Sequence, residues 1–266
     1  MDAFLVVAAV LVGLVLGSFA NVPIHRWPSG GTVSQPRRSA CPACGTPIRA
    51  RDNVPVVSWL LLRGRCRACG APISVRYLVV EVVTATLFGA LAWVWGLDPL
   101  LPAVLVLAWS LVVATAIDLE HRIIPDRLTL RLPLVLLPLV VLAAAAEANW
   151  SGLVRGVLWA VGLPAIMWGL SELFYRLRGQ PGIGMGDTKL AISLGLVLGY
   201  LGGLQLVAFA YATITAAVVV AVVLLLTGRA RLASRIPFGP YLAIGSIVVL
   251  LWPQSSAAVV RRVLGL

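Results

Sequence analysis

The sequence predicts an all-α, polytopic integral membrane protein with about eight transmembrane helices and a cytoplasmic tetracysteine insert between the first and second. Three observations support this prediction. The 266 residues are 60% hydrophobic and only 12% charged, with a mean hydropathy of +0.99. Several apolar runs approach the length of a bilayer crossing, and all four cysteines lie in one polar segment. A water-soluble globule is excluded by such a composition.

The first apolar run, 3–20, lacks the basic start and the Ala-x-Ala cleavage site of a secretory signal, so we interpret it as a retained helix. Seven further runs have the composition of transmembrane helices. They cover 77–96, 100–117, 128–146, 153–175, 190–201, 204–227 and 237–252. The run 190–201 is short and could merge with the next one across Gly202 and Gly203.

The charge distribution predicts which side of the membrane each loop occupies. The 21 basic residues exceed the 10 acidic ones, for a net charge of +11. Threading eight helices alternately places 18 of the 21 on the cytoplasmic side, nine of them in the insert, and puts the N-terminus outside. Seven helices would instead put Arg229, Arg231 and Arg235 outside. We expect anionic lipid as the partner of these residues, and no nucleic acid, because no stacking aromatic residues are interleaved with them.

This threading divides the chain into three segments. Residues 1–21 are expected to form the first transmembrane helix, 22–76 the cytoplasmic insert, and 77–266 the main membrane domain. The insert is rich in proline, glycine and arginine, which is typical of a polar loop rather than of a membrane-spanning helix.

The cysteines of the insert form two CxxC pairs, Cys41-Cys44 and Cys66-Cys69, separated by 21 residues. This spacing is close to that of zinc ribbons and zinc knuckles, and a glycine follows each pair. Disulfides are the alternative, but they rarely persist in the cytoplasm. We therefore expect the four cysteines to bind a structural Zn²⁺.

An acidic motif lies between two of the long apolar runs. It reads Gly184-Met185-Gly186-Asp187-Thr188-Lys189 and contains the only lysine of the chain. An ionised aspartate at a membrane boundary is costly unless it is hydrated or paired, so Asp187 is a candidate site residue. Gly184 and Gly186 would allow a tight turn and the close approach of another segment.

The threading provides a partner for Asp187. Asp118 falls at the cytoplasmic end of the third run, and Asp187 at the cytoplasmic start of the sixth. If the two helices touch, the carboxylates can share a proton and a water. One would be general base toward water while the other, protonated, polarises a peptide carbonyl, which is aspartyl-protease chemistry. Structural alternatives stay open: Asp118 could pair with Arg122, and Asp187 could stabilise the start of its helix.

Other polar residues near these runs have simpler interpretations. Glu120 and Asp126 are alternatives to Asp118 as the first acid of the pair. As structural residues, Glu120 would lie in the solvated headgroup region and Asp126, which follows Pro125, at the start of the next helix. Glu81 lies one turn into the second run and either extends toward an arginine such as Arg76 or supports the site. His121 is expected at the interface and not as a ligand.

Together these motifs resemble the prepilin peptidases, the type IV leader peptidases of the GxGD class of membrane aspartyl proteases. The resemblance covers nearly the whole chain in the right order. It includes Gly184 to Lys189, Asp118 with Ile124-Pro125-Asp126, Gly17-Ser18-Phe19-Ala20-Asn21-Val22, Asp52 to Leu60, Cys66 to Cys69, Pro72 to Tyr77 with Glu81, and Ile236-Pro237-Phe238-Gly239-Pro240.

The resemblance implies a multi-pass enzyme of the bacterial inner membrane. It would remove the short basic leader of type IV prepilins or type II secretion pseudopilins, cutting after a glycine at the cytoplasmic face. Asp118 and Asp187 would be the catalytic pair of a peptidase domain at 77–266. Gly184, Gly186, Lys189 and Glu81 would support the site.

Members with the tetracysteine insert commonly also methylate the new N-terminus with S-adenosylmethionine. This second activity rests on the resemblance alone, because the sequence has no glycine-rich fingerprint for that cofactor. The alternative from another class is a membrane transporter or a zinc-linked scaffold whose acids bind ions. Transport predicts acids near the middle of the bilayer, whereas Asp118 and Asp187 are expected at its edge.

Overall fold

Helices make up the fold of the protein in the computed structural model, which describes residues 3–35, 39–179, 182–228 and 237–265. These ranges contain eleven α-helices, one 3-10 turn at Ala50–Asp52, two isolated β-bridges and no strand. The helices are α1 (Ala3–Arg26), α2 (Val57–Leu61), α3 (Val75–Trp95), α4 (Leu101–His121), α5 (Asp126–Thr129), α6 (Leu132–Glu147), α7 (Trp150–Arg178), α8 (Met185–Leu201), α9 (Gly203–Leu226), α10 (Gly239–Leu251) and α11 (Pro253–Leu264).

Each apolar run of the sequence is helical in the described ranges, so the all-α membrane fold is confirmed. Six helical segments are long and apolar enough to cross a membrane: α1, α3, α4, α7, α9 and the stretch Asp126–Glu147. The pair α10 and α11, bent by 102°, is a seventh candidate. The prediction counted eight because it included α8, whose 17 residues fall short of the about 20 that a bilayer core requires.

The chain folds into two compact units, Met1–Leu97 and Asp98–Leu266. In the first unit, α1 packs along α3, and the tetracysteine insert connects the two helices. Ile24 of α1 and Phe88 and Leu91 of α3 are almost completely buried. Their burial follows from the apolar composition of both helices, which leaves the remaining faces to lipid.

In the second unit, α8 lies at the centre and α7, α6, α4, α9 and α10 contact it. Twelve of its 17 residues are buried, whereas only three residues of α7 and four of α9 are buried. Gly202, with a φ of 142°, ends α8 and separates it from α9. The two helices are thus distinct, as the eight-helix threading assumed.

Close backbone contact joins α7 to α8. A methyl group added at Gly195 of α8 would overlap the carbonyl oxygen of Trp159, and one at Gly199 would lie 2.7 Å from the Cβ of the same residue. Small residues allow membrane helices to approach until their backbones touch. The position of α8 therefore depends on the absence of side chains along this contact.

We expect Gly195→Ala to destabilise the protein by about 1–3 kcal/mol, because the added methyl group forces α7 and α8 apart. Gly169→Ala is the matched control, since Gly169 lies on the exposed side of α7 and an added methyl group there meets nothing within 4 Å. Thermal unfolding in detergent measures both. Equal melting temperatures for the two variants would contradict the packing argument.

Candidate active site

The end of α4 positions the first acid. Asp118 lies one turn before the last residue of α4 and is 5% exposed. Arg122 closes the helix in a left-handed conformation, with φ 56° and ψ 37°, and its backbone N–H donates to the carbonyl oxygen of Asp118 at 2.9 Å. The chain then reverses through Ile123 and Ile124 before α5 begins.

The start of α8 positions the second acid. Asp187 lies in the first turn of α8 and is 8% exposed. Asp118 and Asp187 both line one cavity of about 240 Å³. The other residues that line this cavity are Arg122, Ile123, Ile124, Gly184, Met185 and Gly186. The structure thus brings together the two carboxyl groups that the threading placed at the same membrane depth.

The glycines of the acidic motif provide space and not a turn. A methyl group added at Gly186 would lie 3.0 Å from the Cβ of Ile124 and 3.1 Å from its carbonyl oxygen, so this glycine allows the close approach of the loop after α4. Gly184 has φ −67° and ψ 144°, which any residue adopts. The tight turn expected of these two glycines is therefore wrong.

Each carboxyl group has a different environment. The Oδ2 atom of Asp118 accepts a hydrogen bond of 2.9 Å from the backbone N–H of Gly239, which is 121 residues away in the sequence. The Oδ1 atom of Asp187 is buried and has no hydrogen-bond partner among the residues that the structure describes. The motif around Gly239 is part of the family resemblance, but the sequence did not predict its contact with Asp118.

An ion pair connects the two acidic motifs. The Nζ atom of Lys189 donates to Oδ1 of Asp126 at 2.6 Å, and the two side chains are 29% and 59% exposed. Asp126 is the first residue of α5, where its charge favours the helix start. Neither Asp126 nor Glu120 lines the cavity, and Glu120 lies 3.8 Å from His121, itself an exposed residue at the end of α4.

Ser171 of α7 holds the segment that precedes α8. Its hydroxyl donates to the carbonyl oxygen of Ile183 at 3.1 Å, and the N–H of Ile183 donates to the Ser171 oxygen at 3.2 Å. Sequence analysis missed this residue, because a single serine within an apolar run gives no functional signal.

Glu81 lies in the first compact unit and is 8% exposed. Its Oε2 atom accepts a hydrogen bond of 2.7 Å from the backbone N–H of Val56. Val56 has φ 62° and ψ −53°, and the N–H of Val57 donates to the carbonyl oxygen of Pro55 at 2.6 Å. These values define a γ-turn of the rare, strained type. Glu81 thus holds a backbone turn of the insert.

The four cysteines form one cluster. Their Sγ atoms all lie within 4.8 Å of one another, and those of Cys41 and Cys69 are 3.9 Å apart. All four thiols are free, so the disulfide alternative is wrong for this structure. A tetrahedral Zn²⁺ with Zn–S bonds of about 2.3 Å places its sulfur atoms about 3.8 Å apart. The cluster therefore fits one metal ion of this kind.

Both CxxC pairs have the same backbone geometry. Gly45 donates to the carbonyl oxygen of Cys41 at 2.8 Å, and Gly70 donates to that of Cys66 at 2.9 Å. Each of these glycines has a φ of 70°, which favours glycine. The glycine after each CxxC thus allows the turn that was expected from the sequence.

An ion pair connects the second CxxC pair to the rest of the insert. Arg67 donates from Nη2 to Oδ1 of Asp52 at 2.7 Å and from Nε to both carboxylate oxygens at 2.9 and 3.1 Å. The hydrogen bond from Arg67 holds the pKa of the Asp52 carboxyl below its ordinary value. This contact fixes the 3-10 turn at Ala50–Asp52, which precedes the γ-turn.

Comparison with known families and proteins gives matches over most of the chain. The model for the bacterial peptidase A24 N-terminal domain matches residues 11–95, and that for the type IV leader peptidase family matches residues 105–232. The chain is 37% identical to a prepilin leader peptidase/N-methyltransferase of Stutzerimonas stutzeri, over 95% of this chain and 92% of that protein.

Two further relatives have the same name. A prepilin leader peptidase/N-methyltransferase of Pseudomonas aeruginosa is 35% identical, with 93% of this chain and 90% of that protein covered. The Aeromonas hydrophila protein is 38% identical, with coverage of 92% and 90%. The comparison with solved structures gives no significant match.

Proposed function

The chain belongs to the type IV leader peptidase family, and on this premise we propose that Asp118 and Asp187 are the catalytic pair of a membrane aspartic endopeptidase. Its substrates are the precursors of type IV pilins or type II secretion pseudopilins, from which it removes the leader peptide. The observation that carries the assignment is the single cavity that both buried carboxyl groups line. The transporter or scaffold alternative has no support from the family or the relatives.

The cavity supports a general acid–base mechanism. Two carboxyl groups that share a small cavity cannot both ionise easily, so one carries a proton. The ionised group removes a proton from water, which attacks the peptide carbonyl, and the protonated group polarises the carbonyl oxygen. We propose that Gly184, Gly186 and Lys189 support this geometry, whereas Glu81 supports the γ-turn of the insert.

The protein is a multi-pass protein of the inner membrane. We propose that its N-terminus lies outside and that the cavity faces the cytoplasm. The nine basic residues of the insert and the three at Arg122, Arg127 and Arg131, all of which precede α8, then follow the positive-inside rule. We also propose that Cys41, Cys44, Cys66 and Cys69 hold a structural Zn²⁺ through their thiolates. A bound ion would order the insert by joining its two CxxC turns.

The names of the relatives are the basis for proposing a second activity. The relatives are named N-methyltransferases as well as peptidases, so this chain is proposed to methylate the new N-terminus with S-adenosylmethionine. The described ranges contain no strand, and hence no strand-turn-helix site for this cofactor. No step of the proposed peptidase mechanism passes through it.

The test is cleavage by the purified full chain in liposomes. A prepilin or pseudopilin precursor is added, and mass spectrometry locates the cut and detects any methyl group added in the presence of S-adenosylmethionine. We expect cleavage after the glycine that ends the leader, with or without the cofactor. A precursor that stays intact with folded protein would contradict the peptidase assignment.

The ion pair between the motifs gives a smaller expected effect. We expect Lys189→Met and Asp126→Asn each to slow cleavage about two- to fivefold, because exposed ion pairs contribute about 0.2–1 kcal/mol. The double variant should be no slower than either single variant, since both changes remove the same contact. Arg176→Met is the control, because the Arg176–Glu172 pair of α7 lies outside the cavity lining. Additive effects of the two changes would show that Lys189 and Asp126 do not act through their common ion pair.

A further inference from the structure

Gly239 lies directly against the side chain of Asp118. A methyl group added at Gly239 would lie 2.8 Å from Oδ2 and 3.3 Å from Cβ of Asp118. The backbone N–H of Gly239 donates to that same Oδ2 atom within a buried contact. Gly239 is the first residue of α10, where N–H groups have no partner within the helix, and Pro240 has no N–H to offer.

The two acids differ in what stabilises a negative charge on them. A hydrogen bond from an N–H group favours the ionised form of Asp118. Among the residues that the structure describes, the buried Oδ1 atom of Asp187 has no donor, and a buried carboxylate oxygen without a donor disfavours the ionised form. Asp187 lies in the first turn of α8, where the helix dipole favours a negative charge. Asp118 lies in the last turn of α4 and beside the start of α10, whose dipoles act on its charge in opposite directions.

Two basic residues lie close to the acids in space or in sequence. Arg122 lines the cavity together with both acids, and Lys189 is paired with Asp126. The backbone N–H groups of Gly184 and Asp187 also favour a charge on Asp187. Among the residues that the structure describes, the assignment rests on the Gly239 hydrogen bond to Asp118 and on the buried Oδ1 atom of Asp187, which has no donor there.

We infer that Gly239 is a positioning residue that holds Asp118 as the ionised acid, so that Asp118 is the general base and Asp187 carries the shared proton. This inference rests on the proposed peptidase function. It adds α10 as a third element of the site and gives each acid a distinct role.

The assigned roles balance over one turnover. Asp118 takes a proton from water as the hydroxide adds to the carbonyl carbon, and Asp187 gives its proton to the carbonyl oxygen. In the resulting tetrahedral intermediate, Asp118 gives its proton to the leaving nitrogen as the C–N bond breaks. One hydroxyl proton returns to Asp187, which restores the starting state with a new carboxyl terminus and a new amine.

The first test removes the N–H of Gly239 without adding a side chain. Incorporating glycolic acid at position 239 replaces the backbone amide by an ester. We expect kcat to fall by about 10- to 100-fold, the loss typical of a hydrogen bond to a charged group, with little change in KM. The control is the same ester at Gly203, the first residue of α9, where an added methyl group meets nothing within 4 Å.

A second variant keeps the N–H and disturbs the contact sterically. Gly239→Ala should lower kcat at least tenfold, whereas Gly203→Ala should not. If the two position-239 variants cleave like their position-203 controls, Gly239 does not position Asp118. Loss of cleavage in Asp118→Asn and Asp187→Asn alongside that result would leave the peptidase function standing and overturn only this inference.

Chemical labelling tests the division of roles directly. A small epoxide is opened by a carboxylate, whereas a small diazo ester reacts with a protonated carboxyl group. After treatment of the full chain in detergent, peptide mass spectrometry should find the epoxide on Asp118 and the diazo ester on Asp187. The reverse pattern, or equal labelling of both acids by both reagents, would overturn the assignment.

Discussion

We expect Asp118→Asn and Asp187→Asn each to lower the rate of prepilin cleavage by about 10²- to 10⁴-fold, the range that a positioned acid or base contributes. An amide cannot remove a proton from water, and it cannot return one to the reacting group. Asparagine has nearly the same shape as aspartate, so the packing around the cavity should persist. The rate is measured with purified protein and a saturating amount of precursor.

The double variant should be about as slow as either single one, since the two acids act as a unit. Glu120→Gln is the matched control, because this acid lies near the same end of α4 but outside the cavity lining. Its rate should match that of the unmodified protein. Rapid cleavage by either asparagine variant would remove that acid from the mechanism.

Removal of metal from the tetracysteine insert should have the second large effect. Structural zinc sites in small modules contribute about 10–16 kcal/mol of apparent binding free energy, which is also folding free energy. We therefore expect one zinc ion per chain by elemental mass spectrometry. Cys66→Ser should lower this content, and a strong chelator should make residues 39–74 sensitive to protease.

The insert provides its own control. Ser34→Ala removes an exposed hydroxyl that donates to the Thr32 hydroxyl, and it should leave both zinc content and protease resistance unchanged. Folded protein without stoichiometric zinc, or cysteines joined in disulfides, would contradict the proposed metal site.

Local and compositional signals made much of the architecture predictable. Apolar runs identify helices because a membrane segment must bury its backbone polar groups within itself. The spacing of the cysteines identified their cluster because each CxxC forms a self-contained turn. Asp118 and Asp187 could be brought together because alternate threading fixes the depth of a helix end, even for residues far apart in sequence.

Contacts that depend on tertiary packing were not predictable in this way. The bond between Gly239 and Asp118 joins residues 121 positions apart through a backbone N–H, which has no sequence signature. The γ-turn at Val56 opposes the usual preference of a β-branched residue and exists because Glu81 is buried beside it. Helix α11, which follows α10 after a sharp bend, was not predicted because its residues are too polar to give a hydropathy peak.

The burial of α8 also bears on how bilayer thickness affects this protein. Hydrophobic mismatch acts on helices that face acyl chains, which tilt or distort the bilayer to match its thickness. With 12 of its 17 residues buried, α8 has little boundary with lipid and can remain short. Thicker or thinner membranes should therefore tilt α7 and α9, while the depth of Asp187 is set by neighbouring protein and not by the surrounding lipid.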